Sequence, residues 1–260
     1  MKLDYDIEIN ILEDIHELDS NQCFIFSDEV GSENYLSTAK ILDDILGDDC
    51  FKKWIDNSKS QFPPDLINEE DSLLMEVMRI DDHSPDGKKN PNLSRQRSMR
   101  KEVETMREMF PNAKRFIMNA VTDLPTEEDH NYKYYYSSFQ RTVRKHLSKL
   151  DEYKKNHPGM KMIFLVADET SGVYFEAITK NDEVVYGRLH LVFLDKRFIN
   201  EFIDSQLDYL ILYCPYNYFN SIEQHEPLPQ LTIFDVKNMK NNKNIPLYEY
   251  DENRMVSSEK

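Results

Sequence analysis

Residues 73–80, Leu-Leu-Met-Glu-Val-Met-Arg-Ile, constrain the fold most, because they are largely apolar on both faces of an extended chain. With a side-chain period of two, Leu74, Glu76, Met78 and Ile80 share one face, and Leu73, Met75, Val77 and Arg79 share the other. Such a strand belongs inside a sheet that is covered on both sides. One carboxylate, Glu76, interrupts the apolar run at its centre. Just upstream, Pro63-Pro64 stops a helix and forces extended geometry immediately before a second carboxylate, Asp65. Residues 65–68 therefore read as a short strand, joined to 73–80 by a tight turn at 69–71.

Helical spacing recurs on either side of this hairpin. Leu36, Ala39, Leu42, Leu46 and then Trp54-Ile55 predict a helix over 34–56, broken or kinked at Gly47. A polar loop at 82–92 precedes a helix over 93–110, with Met99, Val103, Met106 and Phe110 as its buried stripe. A strand follows at 115–121. A long helix over 132–156 turns Tyr135, Phe139, Val143, Leu147 and Leu150 inward and stops at His157-Pro158-Gly159. Strands at 161–167 and 173–178 flank a turn, Asp195 caps a helix over 196–205, and 209–214 is a short buried strand. Helices alternating with apolar strands predict an α/β protein with a mixed sheet flanked by helices. The segmentation is an acidic N-terminal arm (1–33), an α/β core (34–131), a continuation of the sheet or companion subdomain (132–215), and a loosely ordered tail (216–260). Pro227, Pro229 and the Asn/Lys run at 238–244 mark that tail.

Charge and composition narrow the function classes. The 260-residue chain is 40% hydrophobic and carries a net charge of −16, which argues against a whole-protein affinity for nucleic acid. The balance is uneven: residues 84–115 hold 9 bases against 4 acids, and residues 133–161 hold 8 against 2. These two stretches are either a phosphate-facing patch built from two helices or ordinary solvated helix faces. Apolar runs fall far short of the roughly 20 residues of a membrane span, and the acidic start lacks the features of a secretory signal. The 3 cysteines (Cys23, Cys50, Cys214) are odd in number and widely spaced, as in a reduced cytoplasmic protein, with no Cys-x-x-Cys pair. With only 6 glycines there is no Walker or dinucleotide loop, and Asp168-Glu169 reads as a turn that closes a strand.

The order helix, Pro-Asp strand, turn, Glu-bearing strand, helix, strand resembles the core of the PD-(D/E)XK, or restriction-endonuclease-like, superfamily. Pro64-Asp65 matches its first half-motif and Glu76-Val77-Met78 its second, over residues 34–122, about a third of the chain. The resemblance implies a restriction-endonuclease-like core with a C-terminal elaboration. It also implies that Asp65 and Glu76 are catalytic and hold Mg²⁺ or Mn²⁺ for phosphodiester hydrolysis. The sequence departs from the family at Met78, where the superfamily carries a lysine, so the motif is degenerate. A replacement cation would come from Arg95 or Lys101, or from Lys88 or Lys89, and Asp81, Asp82 and His83 could add a ligand or a base. Arg95, Arg97 and Lys101 are the expected nucleic-acid contacts. The functional expectation is a nuclease-like, metal-dependent phosphodiesterase in which catalysis either survives or has been lost. The alternative is a non-catalytic acidic protein that binds a protein partner or mimics nucleic acid.

Overall fold

The computed structural model describes residues 7–18, 23–26, 33–47, 52–57, 64–83, 105, 109–110, 130–170, 172–180, 183–217, 228–241 and 246–258. Among them the strands are β1 (Cys23–Phe26), β2 (Ile55–Asp56), β3 (Leu66–Asn68), β4 (Leu73–Ile80), β5 (Lys161–Asp168), β6 (Tyr174–Lys180), β7 (Glu183–Leu189), β8 (Tyr209–Tyr213), β9 (Leu231–Asp235) and β10 (Met255–Ser257). The helices are α1 (Ile7–His16), α2 (Glu33–Leu46), α3 (Tyr132–Leu147), α4 (Leu150–Asn156), α5 (Lys196–Asn200) and α6 (Val236–Asn241).

The runs that are apolar on both faces occupy the middle of a seven-stranded mixed sheet of order β1-β9-β8-β5-β4-β3-β2. β4 pairs with β5 and β5 with β8 in parallel, whereas β2, β3 and β4 form an antiparallel meander on one side. On the other side β9 runs antiparallel to β8 and parallel to β1. Alternate residues feed two cores. Leu74, Met78, Phe164, Val166, Leu210 and Phe234 face α3, α4 and α5. Leu73, Met75, Ile163, Leu165, Ile211 and Ile233 face α1 and α2. Each fully buried aliphatic or aromatic side chain contributes about 1.5–3 kcal/mol, so the parallel centre anchors the molecule. The structure is thus an α/β protein with a mixed sheet flanked by helices, as the patterning predicts.

β6, β7 and β10 form a smaller antiparallel sheet. Within its hairpin β6 and β7 come close at Gly187, where an added Cβ would strike the backbone oxygen of Glu176 and sit 2.7 Å from the Ile178 side chain. Gly187→Ala should therefore cost about 1–3 kcal/mol by overpacking. A lowered urea midpoint at unchanged slope measures this, and an unchanged midpoint refutes it.

Several local expectations change in the structure. The helix expected over 34–56 stops at Leu46, and Ile55–Asp56 is an edge strand, because Gly47 ends the helical run. The segment read as an acidic arm or edge element does place Cys23–Phe26 at the sheet's edge as β1, but it also holds α1, whose Leu12 and Ile15 are buried against the sheet's second face. The long helix is two: Ser148 closes α3 and α4 restarts at Leu150, with the Ser148 hydroxyl donating to the Lys145 carbonyl. The helix after Asp195 is shorter than its pattern, ending at Asn200, while Asp195 caps it by accepting from the Arg197 amide. The segment read as a loose tail supplies β9, every residue of which is buried, together with α6 and β10. The three apolar residues of β9, Leu231, Ile233 and Phe234, are outweighed in the sequence by flanking Pro, Asn and Lys. Phe110, expected in a buried stripe, is exposed and non-helical, since Pro111 disfavours helical geometry for the residue before it. Thr105 and Met109 are helical as expected, and the other residues of the helix expected over 93–110, with the strand over 115–121, lie outside the described residues. No helix among those described is long and apolar enough to cross a membrane.

Candidate functional site

The β3–β4 hairpin sets the geometry. Asn68 and Asp71 bind each other across its turn, and Lys40 of α2 and Lys53 both reach Asp71, at 3.0 and 3.2 Å. Ser72 adopts a left-handed backbone (φ 55°) to complete it. With the turn held, Leu66 lies opposite Met75 as the last pair of the ladder, and Asp65, just before β3, comes close enough to Glu76 for the two charges to interact. Pro64 lacks an amide and its carbonyl is taken by Asn57 at 2.8 Å. The ladder ends there, so the Val77 amide donates to Asp65 Oδ2 at 2.8 Å instead. That bond fixes the carboxylate against β4.

Glu76 points toward α3 and α4 and is only 5% exposed. His146, in the last turn of α3, brings Nδ1 to 2.7 Å from Glu76 Oε1, an ion pair whenever the imidazole is protonated. The His146 ring is held edge-on to Phe164, the β5 residue paired with Glu76. Tyr153 of α4 is fully buried nearby, and its phenol is pushed well up, first by burial and then by the Glu76 charge. Glu76 Oε2 and the Tyr153 hydroxyl are buried without an aligned hydrogen bond, and a group left in that state costs about 1–3 kcal/mol.

Asp65 is pushed up to about 6, first by burial and next by the Glu76 charge, with the Val77 amide and His146 pulling the other way. A carboxyl raised in the fold stabilises most below its unfolded value, and that contribution is lost as pH rises through the folded one. Asp65→Asn, which removes the charge, should therefore melt at higher temperature than the parent near pH 7 in chelator, with the gap closing toward about pH 4. A gap that does not change with pH would count against this electrostatic picture.

The other residues singled out in the sequence are dispersed. Met78 is buried in the α3-side core and supplies no cation. Arg79 is on the opposite face and pairs with Glu169. Lys88, Lys89, Arg95, Arg97 and Lys101 lie outside the described residues. Asp81, Asp82 and His83 leave β4 at its far end rather than joining Asp65. The basic stretch 133–161 is partly consumed by internal contacts: Arg144 binds Glu201, Lys154 pairs with Asp208, and Lys133 binds Asn253. His146 and Tyr153 were missed as site residues. Their only signal was helical spacing, which puts them on the sheet-facing side of α3 and α4 without saying which strand residue they meet.

Across the carboxyl ends of β5 and β8 lies a second polar feature, a cavity of about 50 Å³ lined by Tyr135, Asp168, Tyr174, His190, Cys214 and Thr232 among others. Asp168 accepts from the Tyr135 hydroxyl at 2.6 Å and from the Thr170 amide at 3.0 Å. Burial still pushes it up to about 6. Cys214 Sγ is 3.8 Å from Asp168, and burial raises that thiol well above its usual value, which keeps it a poor nucleophile. No protein-family model matches this chain, and no curated protein and no solved structure matches it either.

Proposed function

We propose that the protein is a nuclease-like, metal-dependent phosphodiesterase whose centre is the Asp65–Glu76 pair. The observation that carries this reading is the closeness of two carboxylates, Asp65 just before β3 and Glu76 on β4, one with a buried oxygen that no hydrogen bond satisfies. The succession α2, β3, tight turn, β4 supports it further, because it is the first part of the order on which the superfamily resemblance rests; the helix and strand that complete that order, over 93–110 and 115–121, fall almost wholly outside the described residues. The donors suit Mg²⁺ or Mn²⁺: two hard carboxylates, with an imidazole that Mn²⁺ also accepts. Asp65 and Glu76 would hold the ion. When bound, it supplies a water of lowered pKa and neutralises charge on the phosphodiester.

The chain's own residues do the rest. The Val77 amide orients Asp65, and the His146 imidazole, 2.7 Å from Glu76 Oε1, fixes Glu76. Lys145 and Lys149 flank His146 and, with Arg95, Arg97 and Lys101, are the residues to contact the phosphate chain. On this reading the protein works in the cytoplasm on a nucleic acid. A second reading, favoured by the near-complete burial of Glu76 and by Met78, keeps the fold without catalysis; the −16 charge then serves a protein partner or mimics nucleic acid. Incubation with plasmid, single-stranded DNA and RNA in Mn²⁺ separates the two. Cleavage that disappears in both Asp65→Ala and Glu76→Ala supports the phosphodiesterase, and no cleavage, or cleavage unaffected by either change, supports the second reading.

A further inference from the structure

At the carboxyl end of β4 the chain leaves the sheet through Asp81, Asp82 and His83, and it is back beside that end at His130, next to the Asn131 cap of α3. The Asn131 amide donates to the Asp82 carbonyl at 3.2 Å and ties the two points together. As a result Asp82, His83 and His130 each bring one donor atom into a group whose members lie within 4.8 Å of one another. Asp82 Oδ2 is 3.1 Å from His130 Nδ1, and Asp82 Oδ1 is 3.8 Å from His83 Nδ1. Two ligands on a tetrahedral ion at about 2.0–2.1 Å stand about 3.3 Å apart, so these spacings need only small adjustments.

The surroundings have the layout of a ligand set. The imidazole rings are 5.4 Å apart and inclined at 56°, unstacked, and both address one carboxylate. Asp82 is 1% exposed and forms a buried floor, while the two histidines are partly open to solvent. Behind the floor the Tyr174 hydroxyl donates to Asp82 Oδ2 at 2.6 Å. Tyr174 in turn stacks on Tyr135, which donates to Asp168. Outer partners of this kind orient a ligating carboxylate.

We propose that Asp82, His83 and His130 bind a first-row transition-metal dication of the zinc class, with the remaining coordination position open to water. Two imidazoles and one carboxylate favour Zn²⁺, Co²⁺ or Ni²⁺ over Mg²⁺ or Ca²⁺, which prefer all-oxygen sites. The site is separate from the Asp65–Glu76 pair. At about 3.3 Å per residue along β4, Glu76 and Asp82 are roughly 20 Å apart. It therefore stands or falls independently of the phosphodiesterase reading.

The test uses the full chain carrying Glu76→Gln, so that the carboxylate pair does not contribute, stripped with chelator and titrated with Co²⁺. The expected result is one equivalent bound with the visible bands of a tetrahedral nitrogen/oxygen site, displaced by Zn²⁺ but not by about a hundredfold excess of Mg²⁺. His83→Ala and His130→Ala should each weaken Co²⁺ binding more than tenfold. Tyr174→Phe should weaken it about tenfold, at the low end of the 10–100-fold range for loss of an orienting partner. Where an alanine variant fails to unfold cooperatively, His130→Gln and Tyr174→Phe decide by the same measure. Absence of Co²⁺ binding, or affinity unchanged in the histidine variants, overturns the site.

Discussion

Asp65→Ala and Glu76→Ala are expected each to lower Mn²⁺-supported cleavage by on the order of 10³-fold, while the protein stays folded. That is the scale on which losing a group that positions catalytic charge acts. The two changes should not add, because one carboxylate alone no longer defines the centre. For Asp65 the loss of charge should raise stability near neutral pH in chelator, because its carboxyl is held up to about 6 by burial and by Glu76. His146→Ala is the informative intermediate. It leaves both carboxylates but removes the imidazole 2.7 Å from Glu76, so it should reduce cleavage less than the carboxylate changes and shift its pH profile. Single-turnover rates with thermal melts of the same samples check all three. Equal rates in parent and Glu76→Ala would remove Glu76 from the chemistry altogether.

Phe198→Ala is expected to cost about 3–5 kcal/mol, the usual range for emptying a buried aromatic position. Phe198 is 0% exposed, and its ring centre lies 4.8 Å from Phe139, 5.2 Å from Tyr136, 5.3 Å from Tyr135 and 5.4 Å from His190. Little around it can collapse into the space, because Tyr132 and His190 are both hydrogen-bonded to Asp195, at 2.7 and 2.8 Å, and Tyr135 to Asp168. Against a total stability of about 5–15 kcal/mol for a domain, the loss is large. Phe198→Leu, which keeps much of the volume, should cost less. Tyr216→Ala, at an exposed ring, should stay within about 0.5 kcal/mol. Denaturant midpoints for the three variants provide the check, and a small effect for Phe198→Ala would mean that α5 packs less tightly than these contacts imply.

Local pattern carried a good part of this architecture. Residues 73–80 and 161–167 are apolar on both faces, and both became central strands. The stop at Pro158-Gly159 is visible in the sequence, and Gly159 does take the left-handed backbone (φ 83°) that follows a helix. Where pattern failed, composition misled. β9 is a five-residue strand with only Leu231, Ile233 and Phe234 apolar, inside a polar, proline-bearing segment, and α1 was hidden among acids. Both are held by partners distant in the chain, β8 and β1 for the strand, α2 and the sheet for the helix.

By itself the sequence determined which residues share a face, because side-chain direction follows from backbone period: two in a strand, 3.6 in a helix. It therefore put Glu76 on one side of β4, with Asp65 just upstream on a neighbouring strand. Only the tertiary structure decided that the His146 imidazole and the Tyr153 ring close over that carboxylate, and that Asp82 and His83 turn away to meet His130. Those meetings depend on how α3 and α4 cross the sheet. That crossing is set by the summed packing of Phe139, Val143, Leu150 and their neighbours, and no short stretch of chain encodes it.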